Sequence, residues 1–309
     1  MNIGTPFDLL LEENWFHTIE LKPGVFTPGI DLWKAGGLSL TRKMLSGCEI
    51  QNASCLDVGT MDGLVAALLC RRGANQVVAC DRYDYGAHIE VVKKMLNIDF
   101  IYWPRITLPD LRTKALNVLS EPFDLIVFSG VLYHMYDPMN GLALIRSMTR
   151  PGGLVIVETI ALLSKQMIGY FNAGGAIVRD CHNYWNLSVE LLDYLLRFFR
   201  LMPVDCCFFE VKTLGDGSNL VRIGVACKAT PTKFPDEGDN YMAVSERDDD
   251  AYFPDWHPKT NRAPLNYSPS NPVLVKRASG AVDLYESLLR TRSLNFHDDD
   301  VRLRLGATL

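Results

Sequence analysis

The chain has 309 residues, 48% hydrophobic and 22% charged, with a net charge of −5 and a sequence pI near 5.7. That is enough chain to bury a full core, and its acidity excludes a global basic footprint for nucleic acid. The eight cysteines form no C-x-x-C pair and several lie inside apolar runs, which argues against structural zinc and for thiols kept in a reducing compartment.

Three parts follow one another. Residues 1–45 form a lead-in punctuated by Trp15-Phe16-His17, Lys22-Pro23-Gly24 and Thr27-Pro28-Gly29. Glu12 and Glu13 stand where a leader would be apolar, and no apolar run is long enough to span a bilayer. The expected setting is therefore cytoplasmic, with no membrane partner and no metal. From 46 to 229 short apolar runs alternate with helical patterns. This is the mark of βαβ units: an α/β domain with a mostly parallel central sheet and helices on both faces. From 230 to 309 the chain turns polar and Pro-rich, with Asp248-Asp249-Asp250 and Asp298-Asp299-Asp300. A helix is predicted near 280–293, with Val282, Leu284, Leu288 and Leu289 on one face. The tail is too polar for a core of its own, and reads as a docking arm, a lid or a contact for a homo-oligomer.

Within the middle part, Ala53 to Val58 reads as the first strand and Gln76 to Cys80 as the second. Phe123 to Phe128 and Leu154 to Glu158 supply two more. All four are nearly continuous apolar runs, as strands buried on both faces should be. Asp137-Pro138 starts a helix running to about Met148, which Pro151-Gly152-Gly153 ends. Ser188 caps another, whose Leu191, Leu192, Leu195, Leu196 and Phe199 repeat at helical spacing. The runs Cys206 to Val211 and Leu220 to Cys227 would be late strands, antiparallel to the rest.

The chemistry is expected where the strands end. Leu56-Asp57-Val58-Gly59-Thr60-Met61-Asp62-Gly63 places a strand, a glycine turn and then a Leu- and Ala-rich helix. Glycine lets the backbone turn tightly and approach a nucleoside closely. The second strand ends in Asp81, an acidic side chain able to accept hydrogen bonds from a ribose diol. Thr60-Met61-Asp62 occupies the place of the middle glycine of G-x-G-x-x-G. A pyrophosphate wants that open backbone and a methionine-bearing nucleoside does not, so the turn favours S-adenosylmethionine (SAM) over NAD.

Phe123 to His134, with Asp137-Pro138 and Pro151-Gly152-Gly153, resembles the fourth and fifth strands of class I SAM-dependent methyltransferases with a Rossmann-like fold. The stretch from Trp15 to Lys228 resembles a narrower group: the tRNA wobble-uridine methyltransferases and carboxymethyltransferases, with their bacterial small-molecule relatives. Trp15-Phe16-His17, Thr27-Pro28-Gly29, the Asp57–Gly63 turn and Gly130-Val131-Leu132-Tyr133-His134 carry that resemblance, which covers about two-thirds of the chain.

The resemblance implies the following cofactor residues. Asp57, Gly59, Thr60 and Gly63 form the turn, with Gly59 near the amino-acid moiety; Asp81 and Arg82 flank ribose and adenine, and Ile106 and Thr107 line the adenine. Ser129 sits by the methionyl end, Tyr133 near the transferred group, and Arg222 contacts an anionic cofactor group. The carboxymethylating branch fixes its donor's extra carboxylate with a lysine, a tyrosine and an arginine. Tyr133 and Arg222 match two of these positions, and the lysine position is His17 here.

For the acceptor, an oxygen nucleophile benefits from a base, and His17, His134 and Glu158 are the candidates. Each also has a structural reading, as a backbone hydrogen-bonder or strand-end cap. Trp15, Phe16, Tyr184 and Trp185 are expected to enclose an apolar or aromatic substrate. The expected function is methylation of a small metabolite in biosynthesis. The alternative is tRNA wobble-uridine modification, for which a basic stripe would be expected.

Overall fold

The computed structural model describes residues 14–32, 36–119, 121–179, 182–215, 217–230 and 263–293. The lead-in contributes a small antiparallel pair, β1 (Glu20–Lys22) and β2 (Val25–Phe26), followed by helix α1 (Gly37–Ser46). Then come β3 (Ser54–Val58), α2 (Leu64–Arg71), β4 (Gln76–Cys80), α3 (Gly86–Leu96), β5 (Ile101–Trp103), α4 (Leu108–Val118) and β6 (Phe123–Ser129). A 3-10 turn, Leu132–His134, leads into α5 (Pro138–Met148) and the long strand β7 (Thr149–Leu162), and a second 3-10 turn, Ala173–Gly175, lies further on. The hairpin β8 (Gly169–Phe171) and β9 (Trp185–Ser188), α6 (Val189–Phe198), β10 (Leu201–Thr213), β11 (Asn219–Ala229) and α7 (Leu284–Ser293) complete the described elements.

The main sheet runs β10-β11-β7-β6-β3-β4-β5. The five strands from β7 to β5 are mutually parallel, and β11 and β10 are antiparallel, as expected of the two late runs. This is the Rossmann-like class I methyltransferase architecture. The β8–β9 hairpin joins through β9, which pairs with the end of β7. β3 is buried along its whole length, because both faces of the sheet are covered. Leu40, Met44, Leu68 and Leu69 from α1 and α2 pack on one face. Leu111, Leu142, Leu192 and Leu288 from α4 to α7 pack on the other.

Local chemistry sets the element ends. Asp137 caps α5 by accepting the Asn140 N–H at 3.0 Å, and Pro138 follows it. Ser188 caps α6 by accepting the Leu191 N–H at 3.0 Å. One sequence expectation needs correcting: α5 ends at Met148, and Pro151-Gly152-Gly153 does not stop it but lies inside β7. The register against β6 slips there, from Phe123↔Thr149 to Leu125↔Leu154.

The tail does not form a unit of its own over residues 263–293. Val282, Leu284 and Leu288 are fully buried in the core beneath α6 and β10. The buried carboxylate of Asp205 on β10 accepts from the Tyr267 hydroxyl at 2.9 Å, the Ser270 N–H at 2.7 Å and the Ser270 hydroxyl at 2.9 Å. The helix expected from about 280 begins at Leu284, since Val282 bridges to Lys276 instead. Cys181 and both Asp triplets lie outside the described residues, and the other seven cysteines are free thiols, six of them buried. No helix among the described residues is long and apolar enough to cross a membrane.

Candidate active site

The carboxyl ends of β3, β4, β6 and β7 bring most of the expected residues to one edge of the sheet. Gly59 and Gly63 have φ of +76° and +85°, the left-handed region that glycine reaches without strain. A Cβ on Gly59 would lie 2.7 Å from Val131, so the turn can pass this close to the β6 loop only as glycine. The Gly59 and Thr60 N–H groups donate to the Cys80 carbonyl at 2.9 and 3.1 Å, pinning the turn to β4. The Thr60 hydroxyl donates to Asp57 at 2.7 Å. Burial pushes the Asp57 carboxyl up to about 7, an effect that the Thr60 bond only partly offsets.

Asp81, at the end of β4, accepts the Met61 N–H at 3.0 Å and the Tyr83 N–H at 2.9 Å. Burial raises its carboxyl as well. The Ile106 N–H donates to the Asp81 carbonyl at 3.0 Å, which brings that loop to the same edge. Thr107 caps α4 and donates to Asp110 at 2.6 Å; Arg82 is exposed, 6.0 Å from the Tyr83 ring centre.

A second group lies between β6, β7 and β11. Glu158 is 1% exposed and holds Arg222 through both oxygens, at 2.6 Å from Nε and 2.9 Å from Nη2. Arg222 Nη2 also donates to the Tyr133 hydroxyl at 3.3 Å, and the guanidinium lies 5.3 Å from the Tyr133 ring centre. The Glu158 pair holds the guanidinium proton above its ordinary range against the opposing effect of burial. Ser129 donates to Glu158 at 3.4 Å and shares a 2.6 Å hydrogen bond with Thr41 of α1. Gly37, at the start of α1, has no room for a Cβ, which would sit 2.7 Å from the Arg222 guanidinium.

His17 and His134 lie in different surroundings. The His17 ring is buried, with Nδ1 3.8 Å from Asp62 and without a hydrogen-bond partner. Burial lowers its pKa to about 4 despite the attraction of Asp62. Asp62 also accepts the N–H groups of Phe16 at 2.5 Å and His17 at 2.7 Å, and shares a 3.0 Å hydrogen bond with His88 Nδ1. Trp15 stacks on His88 at 4.3 Å. His134 Nδ1 lies 2.6 Å from the His182 carbonyl, so that nitrogen carries the proton and Nε2 the lone pair.

Sequence reading missed Asp62 as the anchor of the lead-in, along with His88, Thr41 and Gly37. Asp62 was visible only as part of the glycine turn, and its three partners come from residues 26 to 46 positions away. Nor does the structure gather the four expected substrate aromatics into one group: Trp15 packs on His88, while Tyr184 and Trp185 pack with Tyr136 and Phe171. Among the described residues no group of three or more His, Cys, Asp or Glu could hold a metal.

The site fits SAM on its donor set. SAM carries sulfonium and ammonium cations; a cation beside Asp57 relieves the cost of burying its charged form, and the Asp81 carboxylate can accept from ribose hydroxyls. A Cβ placed on Gly130 (φ +71°) would touch the Tyr133 hydroxyl at 3.7 Å and Glu158 at 3.9 Å, so the turn after β6 lies directly against this group.

Residues 38–201 match a family described as a methyltransferase domain. The chain is 34% identical over 204 residues to the ubiquinone biosynthesis O-methyltransferase of Parvibaculum lavamentivorans, covering 62% of this chain and 70% of that protein. It is 28% identical over 176 residues to the tRNA U34 carboxymethyltransferase of Dichelobacter nodosus, covering 56% of this chain and 53% of that protein. Its match to the tRNA U34 carboxymethyltransferase of Actinobacillus succinogenes is 31% over 114 residues, 37% of this chain and 34% of that protein. The chain thus spans between a third and about half the length of these two carboxymethyltransferases. On the domain match, the sheet order and the site's chemistry, the chain belongs to the methyltransferase-domain family.

Proposed function

We propose that this enzyme transfers a plain methyl group from SAM to a small metabolite. The observation that carries this reading is the state of His17. Where the carboxymethylating resemblance calls for a lysine, a buried imidazole with a pKa of about 4 stands 3.8 Å from the Asp62 carboxylate. It carries no charge at neutral pH, and a second carboxylate placed beside Asp62 would meet repulsion instead of a cation. Arg222, the other cation of that cluster, is already matched by Glu158.

In this reading the Asp57–Gly63 turn, Asp81, Ile106 and Ser129 hold SAM, which when bound supplies an electrophilic methyl group on sulfur. Arg222 orients the Tyr133 hydroxyl at the transfer centre. Of the three candidate bases, His134 is the best suited. His182 fixes its tautomer with the lone pair on Nε2, whereas His17 is a weak base and both Glu158 oxygens are bound to Arg222. The net charge of −5 supports a small acceptor over tRNA.

The test is competition between SAM and its carboxylated analogue, read by product mass against metabolites of the genomic neighbourhood. Gain of a methyl group on a small molecule is expected. Gain of a carboxymethyl group, or tight and salt-sensitive tRNA binding with base modification, overturns the reading in favour of wobble-uridine modification.

A further inference from the structure

We propose that an exposed aromatic row beside Tyr133 is the acceptor platform, and that the acceptor is a flat aromatic compound. The proposal rests on the small-metabolite reading above and names its substrate class.

The row is built from two elements that the sheet brings side by side. Tyr136, just after the first 3-10 turn, stacks on Tyr184 with ring centres 4.4 Å apart and planes 25° apart. Phe171 on β8 lies 6.5 Å from Tyr184 in nearly the same plane orientation, and meets Trp185 edge-on at 5.3 Å. Tyr136 is 72% exposed and Phe171 52%. Neighbouring large apolar side chains left this open mark a surface that something covers.

The polar atoms of the row are turned on one another. The Tyr136 hydroxyl donates to the Tyr184 hydroxyl at 3.2 Å, and Trp185 Nε1 donates to the Tyr136 carbonyl at 3.0 Å. These bonds fix the ring planes and leave ring faces open to a ligand. A preset wall of rings with two torsions each loses little freedom on binding. It selects a partner that presents a flat face, because offset stacking requires one.

The row is continuous with the transfer centre. The Tyr184 N–H donates to the Tyr133 carbonyl at 2.8 Å, and His134 Nδ1 holds the His182 carbonyl at 2.6 Å. The Tyr133 and His134 rings are 4.1 Å apart. A ring lying against this row is therefore delivered towards the residues proposed to surround the methyl group. A nucleobase would stack equally well, but a polyanion needs fixed cations along its path, and the chain is acidic.

Calorimetry on the enzyme saturated with S-adenosylhomocysteine tests this without turnover. The probes are catechol, 2-naphthol and 4-hydroxycinnamate, each beside its ring-saturated counterpart. Saturable binding of at least one aromatic probe is expected, with its saturated counterpart weaker. Tyr136→Ala and Phe171→Ala should each weaken that binding roughly 2- to 10-fold while S-adenosylhomocysteine affinity stays unchanged. If either alanine variant fails to fold, Tyr136→Leu and Phe171→Leu keep the bulk, remove the ring, and should show the same loss. Binding of none of the aromatic probes, or binding indifferent to both substitutions, overturns the proposal. A methylated non-aromatic metabolite whose KM is unmoved by these substitutions overturns it while leaving the small-molecule reading intact. Competition for the row by a tRNA anticodon stem-loop overturns both.

Discussion

Arg222 and Glu158 form a pair of unequal burial: the carboxylate is 1% exposed, whereas the arginine side chain is 22% exposed. Removing the arginine strands a charge that water cannot reach, while removing the glutamate leaves a cation that water can solvate in part. Arg222→Ala is therefore expected to cost about 3–5 kcal/mol and Glu158→Ala distinctly less. Arg222→Lys should rescue poorly, because a single ammonium cannot reproduce the two-point grip or the contact with the Tyr133 ring. Urea unfolding of the three variants measures this. Losses of under about 1 kcal/mol for both alanine variants would show that the pair is too hydrated to matter, and equally large losses would show that the unequal burial does not govern it.

Much of this was legible in the sequence, for a physical reason. The strands β3, β4 and β6 are buried on both faces, so their apolar runs stand out, and Asp137-Pro138 and Ser188 announce helix starts through their own capping chemistry. The placing of Asp57, Gly59, Gly63 and Asp81 at strand ends and in the turn was readable because a strand end and its turn are local in sequence. The pairing of Glu158 with Arg222 spans 64 residues and that of Thr41 with Ser129 spans 88, and no local pattern encodes either. Nor does anything in the sequence near Trp15 announce His88, the ring on which it stacks.

Asp81 is expected to be needed for cofactor affinity. Its carboxylate is buried at the end of β4 and organises the turn through the Met61 and Tyr83 N–H groups. Asp81→Ala should weaken SAM binding by about 1–3 kcal/mol, the cost of a lost charge-assisted hydrogen bond in a closed site. Asp81→Asn keeps one accepting oxygen and should fall between. Calorimetry showing wild-type affinity in a folded Asp81→Ala protein would remove Asp81 from the cofactor site.

The tail is expected to stabilise the methyltransferase domain. Asp205 is fully buried and its donors Tyr267 and Ser270 come from the tail, as do Leu284 and Leu288 in the core. Tyr267→Phe removes one donor to a buried carboxylate and should cost about 1–3 kcal/mol. Deleting residues 231–309 exposes that carboxylate and the apolar face under α6, and should lower the melting temperature or change the oligomer. A truncated enzyme with full activity, unchanged stability and unchanged mass per particle would show the tail to be dispensable.

The cofactor-free enzyme is expected to lose stability as pH rises from 6 to 8, through Asp57. Burial raises this carboxyl to about 7, while in the unfolded chain it titrates near 4. Between those values the folded state keeps a proton that the unfolded chain gives up. The group therefore favours folding at low pH, and the advantage is lost as pH climbs through 7. Asp81, also raised by burial, acts in the same direction. His17 has the opposite sign. Its pKa of about 4 lies below the ordinary 6.5, so its contribution is present above pH 6.5 and is lost as pH falls towards 4. Near pH 6.5 the unfolded histidine is still titrating and offsets part of the aspartate slope, so the net loss between pH 6 and 8 is on the order of 0.5 kcal/mol. Asp57→Asn cannot ionise and should flatten or reverse that slope. SAM should flatten it too, since a cation beside Asp57 favours the carboxylate. Thermal melts at pH 6, 7 and 8, with and without SAM, resolve the effect. A wild-type slope that survives Asp57→Asn unchanged would mean that the buried carboxyl of Asp57 is not the group that titrates.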